Sequence, residues 1–195
     1  MTGDKVIQAK GLGDKIEQQL RIWKRNLDGK RLPATVYRID ARNPNQISQT
    51  GFQPHKDNGN ISIKEHVNNA LDQVLANGDT TAKYQSQFVS TAAYGGLKDT
   101  ILLHVATGKY LYKISTSAIN LANASFTDVN DYFDRIGQPR PFPKQREWIK
   151  QGGIPGAAIR QYMDAETFYK QKVNIVNGQL VLPDENSISG WQDMP

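Results

Sequence analysis

A glutamine and a glutamate, Gln145 and Glu147, stand one residue apart in PKQREWIKQGGIP, residues 143–155. Pro139, Pro141 and Pro143 lead into the pair, and Gly152, Gly153 and Pro155 follow it. Prolines push the residue before them toward extended backbone. On an extended segment two side chains at this spacing project the same way. The pair would then present one anion beside one neutral amide, which both donates and accepts hydrogen bonds. A solvated charged loop is the competing reading.

Other residues could join them. Arg38 lies mid-strand in VYRID, where Val36, Arg38 and Asp40 share one face and Tyr37, Ile39 and Ala41 the other. Its fork of donors suits a phosphate or a loop carbonyl; a surface arginine is the plainer alternative. Ser90 and Thr91 end the strand FVSTA, where hydroxyls often serve turn chemistry alone. His66 sits beside Glu65 on the polar shoulder of a helix, and a lone surface histidine is the plainer reading there. His55 and His104 have no partners at metal-ligand spacing, so no metal site is expected. The chain has no cysteine, which excludes a thiolate nucleophile, a disulfide and a Cys-ligated zinc.

These residues need elements to position them. DKIEQQLRIWKRNL, from Asp14, reads as an amphipathic helix through Ile16, Leu20, Trp23 and Leu27. ATVYRIDAR is a β-rich strand bounded by Pro33 and Pro44, and ISQTGFQPHKDNGN reads as a loop. SIKEHVNNALDQVLANGD reads as a helix capped by Ser62 and stopped by Gly78, with Ile63, Val67, Leu71, Val74 and Leu75 on one face. SQFVSTAA and KYLYKISTS read as strands, FTDVNDYFDRIG as a helix and IRQYM as extended; LKDTILLHVATG fits either helix or strand. KVNIVNGQLVLP predicts a hairpin turning at Asn177-Gly178. The tail after Pro183 reads as loose unless Trp191 anchors it. Helices and antiparallel strand signals intermix without regular βαβ alternation, which argues an α+β fold.

Length and composition set bounds. The chain has 195 residues, 38% hydrophobic and 22% charged, enough for one domain with a core. Lys and Arg number 24 against 19 Asp and Glu, a net charge of +5, which permits an acidic partner without requiring one. No apolar run reaches the length of a membrane span, and the N-terminal stretch has no secretory apolar core. The expected division is a helical extension over 1–32 and one domain over 33–195.

Taken in order, the motifs resemble a known family. TVYRIDARNPNQISQTGF is similar to the opening of the cholera and pertussis toxin catalytic subunits, which are mono-ADP-ribosyltransferases; Tyr37, Arg38, Asp40, Arg42, Pro44, Ile47 and Gly51 carry the likeness. KEHVNN resembles the family's short helix with an active-site histidine, here His66. QFVSTAA resembles its Ser-Thr-Ser strand, and KQREWIKQGGIP its catalytic segment, with Glu147 as the catalytic glutamate. The resemblance implies a split β-sandwich with flanking helices and an NAD cleft, and NAD as the substrate that donates ADP-ribose. By the same resemblance Glu147, Gln145, Ser90 and His66 are the catalytic set, and Arg38, Tyr37, Asp40 and Thr91 hold the dinucleotide.

Two departures narrow the implication. Ala92 replaces the third residue of the Ser-Thr-Ser motif, and Gln145 stands where arginine-modifying members have glutamate. Gln145 therefore counts against arginine as the acceptor; the expected acceptor is a protein side chain first, with nucleic acid or water as alternatives. Arg140, Lys144, Arg146 and Lys150 form an expected basic rim, with Trp148 as a stacking surface for a base. The class further implies a bacterial toxin or effector, delivered into a target cell without a signal peptide in this chain. It is expected to act as a monomer, with a cognate immunity protein as partner.

Overall fold

The computed structural model describes residues 31–68, 82–99, 109–172 and 174–195. The helix read from Asp14, the second half of the helix starting at Ser62, and residues 100–108 with His104 lie outside that set. The compact unit runs over Pro33–Pro195.

Nine strands form in chain order: β1 Thr35–Asp40, β2 Phe88–Ala92, β3 Tyr110–Ser115, β4 Phe126–Asp128, β5 Glu147–Gln151, β6 Ile159–Asp164, β7 Asn174–Val176, β8 Gln179–Val181 and β9 Gln192–Asp193. Among the described residues the helices are α1 Pro44–Thr50, α2 Ile63–Asn68, α3 Ala122–Ser125, α4 Val129–Arg135 and α5 Ala165–Lys172. Seven strands make one sheet in the order β4-β5-β2-β1-β3-β6-β9, and β7 and β8 form a separate hairpin. Every pairing in the large sheet is antiparallel.

The sheet is split near its middle. β1 pairs with β3 from Thr35–Ser115 to Asp40–Tyr110, and β2 pairs with β5 from Phe88–Gln151 to Ala92–Glu147. Between these two ladders, β1 and β2 pair at Tyr37–Ala92 alone. Separate apolar clusters hold the halves. Tyr37, Leu97, Leu111, Met163, Phe168 and Ile188 form one; Val67, Val129, Phe133 and Ile149 form the other. This is the expected α+β architecture of a split sheet with helices about it.

Local chemistry explains the elements and several departures. The stretch read as a loop begins inside α1, because Asn43 and Gln46 make a reciprocal capping box with Pro44 at the first helical position. Ser62 caps α2 as expected, sharing hydrogen bonds with Glu65 in both directions. FTDVNDYFDRIG divides: Phe126–Asp128 pairs with β5, and the Asp128 side chain then caps α4 by accepting from Asn130 and Asp131. The hairpin forms where Asn177-Gly178 placed it, with φ of 49° and 74°, the paired positive values of a type I′ turn.

The tail is anchored rather than loose. β9 pairs with β6, Trp191 packs on the rings of Tyr37 and Phe168, and Glu185 accepts a 2.5 Å hydrogen bond from the Tyr37 hydroxyl. The segment into Glu147 is not extended either. Pro143–Gln145 is a 3₁₀ turn, and Arg146 adopts φ 46°, a left-handed conformation that a non-glycine residue holds only at a cost.

Candidate active site

The split in the sheet is where the chemistry-bearing side chains meet. Arg38 comes from β1, Ser90 from β2, Glu147 from the first position of β5, and His66 from α2. Arg38 Nη1 donates to the Ser90 carbonyl at 2.8 Å, so the guanidinium crosses the gap that the strand ladders leave open. Its Nε donates to Asp40 Oδ2 at 3.3 Å, and its plane lies over the Phe52 ring at 5.3 Å. Phe52 is fixed beneath it by paired backbone hydrogen bonds with Ile154, the residue after the Gly-Gly of the catalytic segment.

Glu147 is largely enclosed, its side chain 16% exposed. Desolvation pushes its carboxyl above the usual carboxylate range; a hydrogen bond from Ser90 and the Arg38 charge pull the other way without cancelling it. Burial likewise lowers the Arg38 guanidinium from its ordinary value, against the attraction of Asp40 and Glu147. His66 Nε2 lies 2.9 Å from Ser90 Oγ and 4.0 Å from Glu147 Oε1. Burial, then the positive charge of Arg38 and of His55, draws the His66 pKa down to about 4. The imidazole is therefore neutral near pH 7, and its approach to Glu147 is not an ion pair.

The structure thus brings Glu147, Ser90, His66 and Arg38 together, with Gln145 two residues upstream in the 3₁₀ turn. Three of the residues expected to hold the dinucleotide have protein partners in the structure. Tyr37 is buried in the core with its hydroxyl on Glu185; it follows Val36 and precedes Arg38, and neighbouring side chains on a strand point to opposite faces. Thr91 is also buried, and its hydroxyl donates to the Trp148 carbonyl at 2.7 Å, tying β2 to β5. Asp40 is engaged by Arg38 and, through both oxygens, by Arg42, so it orients the two arginines.

The basic rim also contracts. Trp148 is buried and offers no stacking face; Lys150 is buried with Nζ on the Gln151 carbonyl; Arg140 is paired with Asp134. Lys144 and Arg146 stay exposed on either side of Gln145. The sequence reading overlooked Ser86, Phe52 and Gly96. The first is a serine ahead of a strand and the last a glycine after one, types that carry no signal of their own.

A carboxylate, a guanidinium, a serine and a neutral histidine thus meet at the break of an antiparallel sheet. The sequence model of the family described as Scabin-like matches residues 36–179. The chain belongs to that family, whose members are toxins, and it is an NAD-dependent mono-ADP-ribosyltransferase. Among solved structures it is similar to EcPltA, at 19% identity over 81% of this chain and 89% of that one, with a TM-score of 0.47. It is also similar to the Scabin toxin from Streptomyces scabies in complex with NADH, at 23% identity over 68% of this chain and 66% of that one, TM-score 0.43. A variant of the same toxin matches at 24% identity over 68% and 67%, TM-score 0.45. No curated protein matches the sequence. Among the described residues no helix is long and apolar enough to cross a membrane.

Proposed function

We propose that Glu147 drives cleavage of NAD between nicotinamide and ribose, and that a neutral nucleophile on a macromolecule takes the ADP-ribose. The bond from the ribose anomeric carbon to the pyridinium nitrogen breaks, and its electron pair neutralises the leaving nicotinamide. The acceptor's lone pair forms the new bond and its proton passes to solvent. Positive charge grows on the ribose in between, and a preformed anion there is stabilised most in the transition state. Glycoside hydrolysis usually needs a second carboxyl to protonate its leaving group. Nicotinamide leaves neutral, so one carboxylate is enough.

The observation that carries this reading is the convergence of Arg38, Ser90, His66 and Glu147 from separate segments onto one partly enclosed point. Arg38 would take a phosphate of NAD, Ser90 would orient Glu147, and His66 would assist at the ribose. Gln145 would hold the acceptor. Its side chain is neutral, so it lacks the charge that would attract an arginine guanidinium. An amide can instead match a nucleobase edge or another amide. Exposed Lys144 and Arg146 flanking Gln145 favour nucleic acid, since phosphate contacts would position a base against it. As a toxin the domain would act inside a target cell, with an inhibitor covering the cleft in the producer.

The test is incubation of lysate with NAD labelled in the adenylate, followed by separate protease and nuclease digestion. Label released by nuclease supports the nucleobase reading; label released by protease replaces it with a side chain; free ADP-ribose alone makes the enzyme a hydrolase. Glu147→Gln is expected to lower nicotinamide release by at least about 10²-fold. Wild-type release from that variant, folded, would refute the role of Glu147.

A further inference from the structure

A fourth polar group stands behind the site. Ser86 is fully buried, and its hydroxyl lies 2.7 Å from His66 Nδ1. The same oxygen accepts the Phe88 amide proton at 3.0 Å, and the Ser86 carbonyl accepts from the Lys56 amide. Ser86 is therefore fixed by two backbone hydrogen bonds besides its contact with the imidazole.

Counting protons sets the direction of the chain. With Glu147 ionised its carboxylate can only accept, so the hydrogen bond it shares with Ser90 takes the hydroxyl proton. Ser90 Oγ must then accept from His66, which puts the imidazole proton on Nε2. Nδ1 is left as an acceptor, and Ser86 supplies the proton to fill it. The reverse assignment would leave Ser90 donating to the imidazole and Glu147 without its hydrogen bond.

We infer that Ser86 is a positioning residue: it holds neutral His66 in the Nε2–H tautomer and so aims the Ser90 hydroxyl at Glu147. This rests on the catalytic reading of Glu147 given above. Without Ser86, Nδ1 can carry the proton, Ser90 turns to donate to Nε2, and the carboxylate loses its fixed partner. A hydrogen bond that orients a histidine from behind selects its tautomer in the same way wherever it occurs.

The experiment has two arms. Nitrogen-15 NMR of histidine-labelled protein without NAD reads the tautomer directly. The expected wild-type result is a protonated Nε2 on His66, with Ser86→Ala shifting intensity toward the Nδ1–H form. Finding Nδ1–H in the wild type, or no shift in the variant, overturns the inference whatever the enzyme does. The second arm is a cycle of Ser86→Ala, His66→Ala and the double variant, read as nicotinamide release. Ser86→Ala is expected to lower kcat about tenfold with little change in the KM for NAD, and to add nothing on top of His66→Ala. An equal loss in both backgrounds would make Ser86 a packing residue only. If Glu147→Gln is as active as wild type, the catalytic reading fails, while the NMR arm still decides the tautomer.

Discussion

Gly96 tests whether the rigidity of the segment before Glu147 matters. A Cβ added there would lie 1.8 Å from the Gln145 carbonyl oxygen, where ordinary contact begins near 3.4 Å, so 3.4 − 1.8 = 1.6 Å of space must open. Both sides resist. The Gly96 amide donates to Ala93, the Ala93 amide to the Arg146 carbonyl, and the Gln145 amide to Phe142. The strain passes to Gln145 and Arg146, and through them to Glu147. Overpacking of this kind costs about 1–3 kcal/mol, and at this chain length roughly 2–4 °C of Tm per kcal/mol, so Gly96→Ala should melt about 2–12 °C lower. A shift near 1 Å at a reacting group costs roughly 10²-fold in rate. Gly95→Ala is the internal control. Its Cβ would lie 2.8 Å from Arg146 Nη1, the tip of an exposed side chain that can swing away. It should stay within about 0.5 kcal/mol of wild type. Thermal melts and nicotinamide release on both variants decide the matter. Wild-type turnover in Gly96→Ala, or equal losses in the two, would refute the idea that this contact places the carboxylate.

Nicotinamide release should show an acid limb above the usual carboxylate value of 4.5, because the ionised form of Glu147 is required and burial raises its pKa; Arg38→Ala should move the limb higher by removing an attractive charge, which a kcat/KM profile against pH would show. His66, near 4, stays neutral across that limb and should add no step of its own above it. Thr91→Val should cost about 1–3 kcal/mol by stranding the buried Trp148 carbonyl, seen as a lower Tm with release per folded molecule unchanged. Glu147→Gln should be more stable than wild type at pH 7. A raised folded pKa means the native state binds the proton more tightly than the unfolded chain, so stability falls as pH rises through that window and stays lower above it; the variant escapes this, and its advantage in Tm should vanish below about pH 4.5.

Much of the site could be read in the chain because its residues are polar at places where polarity is costly. Arg38 interrupts an apolar strand, and Glu147 stands between breakers; the structure brings both to the break in the sheet. The hairpin was legible because Asn177-Gly178 has one favourable turn type. What stayed hidden depended on partners distant in sequence. Tyr37 looked like a ligand residue until Glu185, far along the chain, claimed its hydroxyl. Thr91 reads like Ser90 until the register sets it opposite Trp148. The basic rim shrank because composition cannot tell that Arg140 meets Asp134 or that Lys150 lies under the sheet.

The site also concentrates features that weaken a fold. A carboxylate and a guanidinium are both desolvated without forming a direct pair, and a non-glycine residue sits at positive φ beside them. Such strain persists only where neighbours over-determine it. Here the neighbours are the tight approach of Gly96 and the Phe52–Ile154 bridge under Arg38. Each sits outside the reacting centre and spends nothing on the ligand. If the anion were free to move toward Arg38, the two charges would satisfy each other and neither would be available to NAD. Holding them apart keeps the Glu147 carboxylate and the Arg38 guanidinium from neutralising each other, while Asp40 balances part of the guanidinium charge.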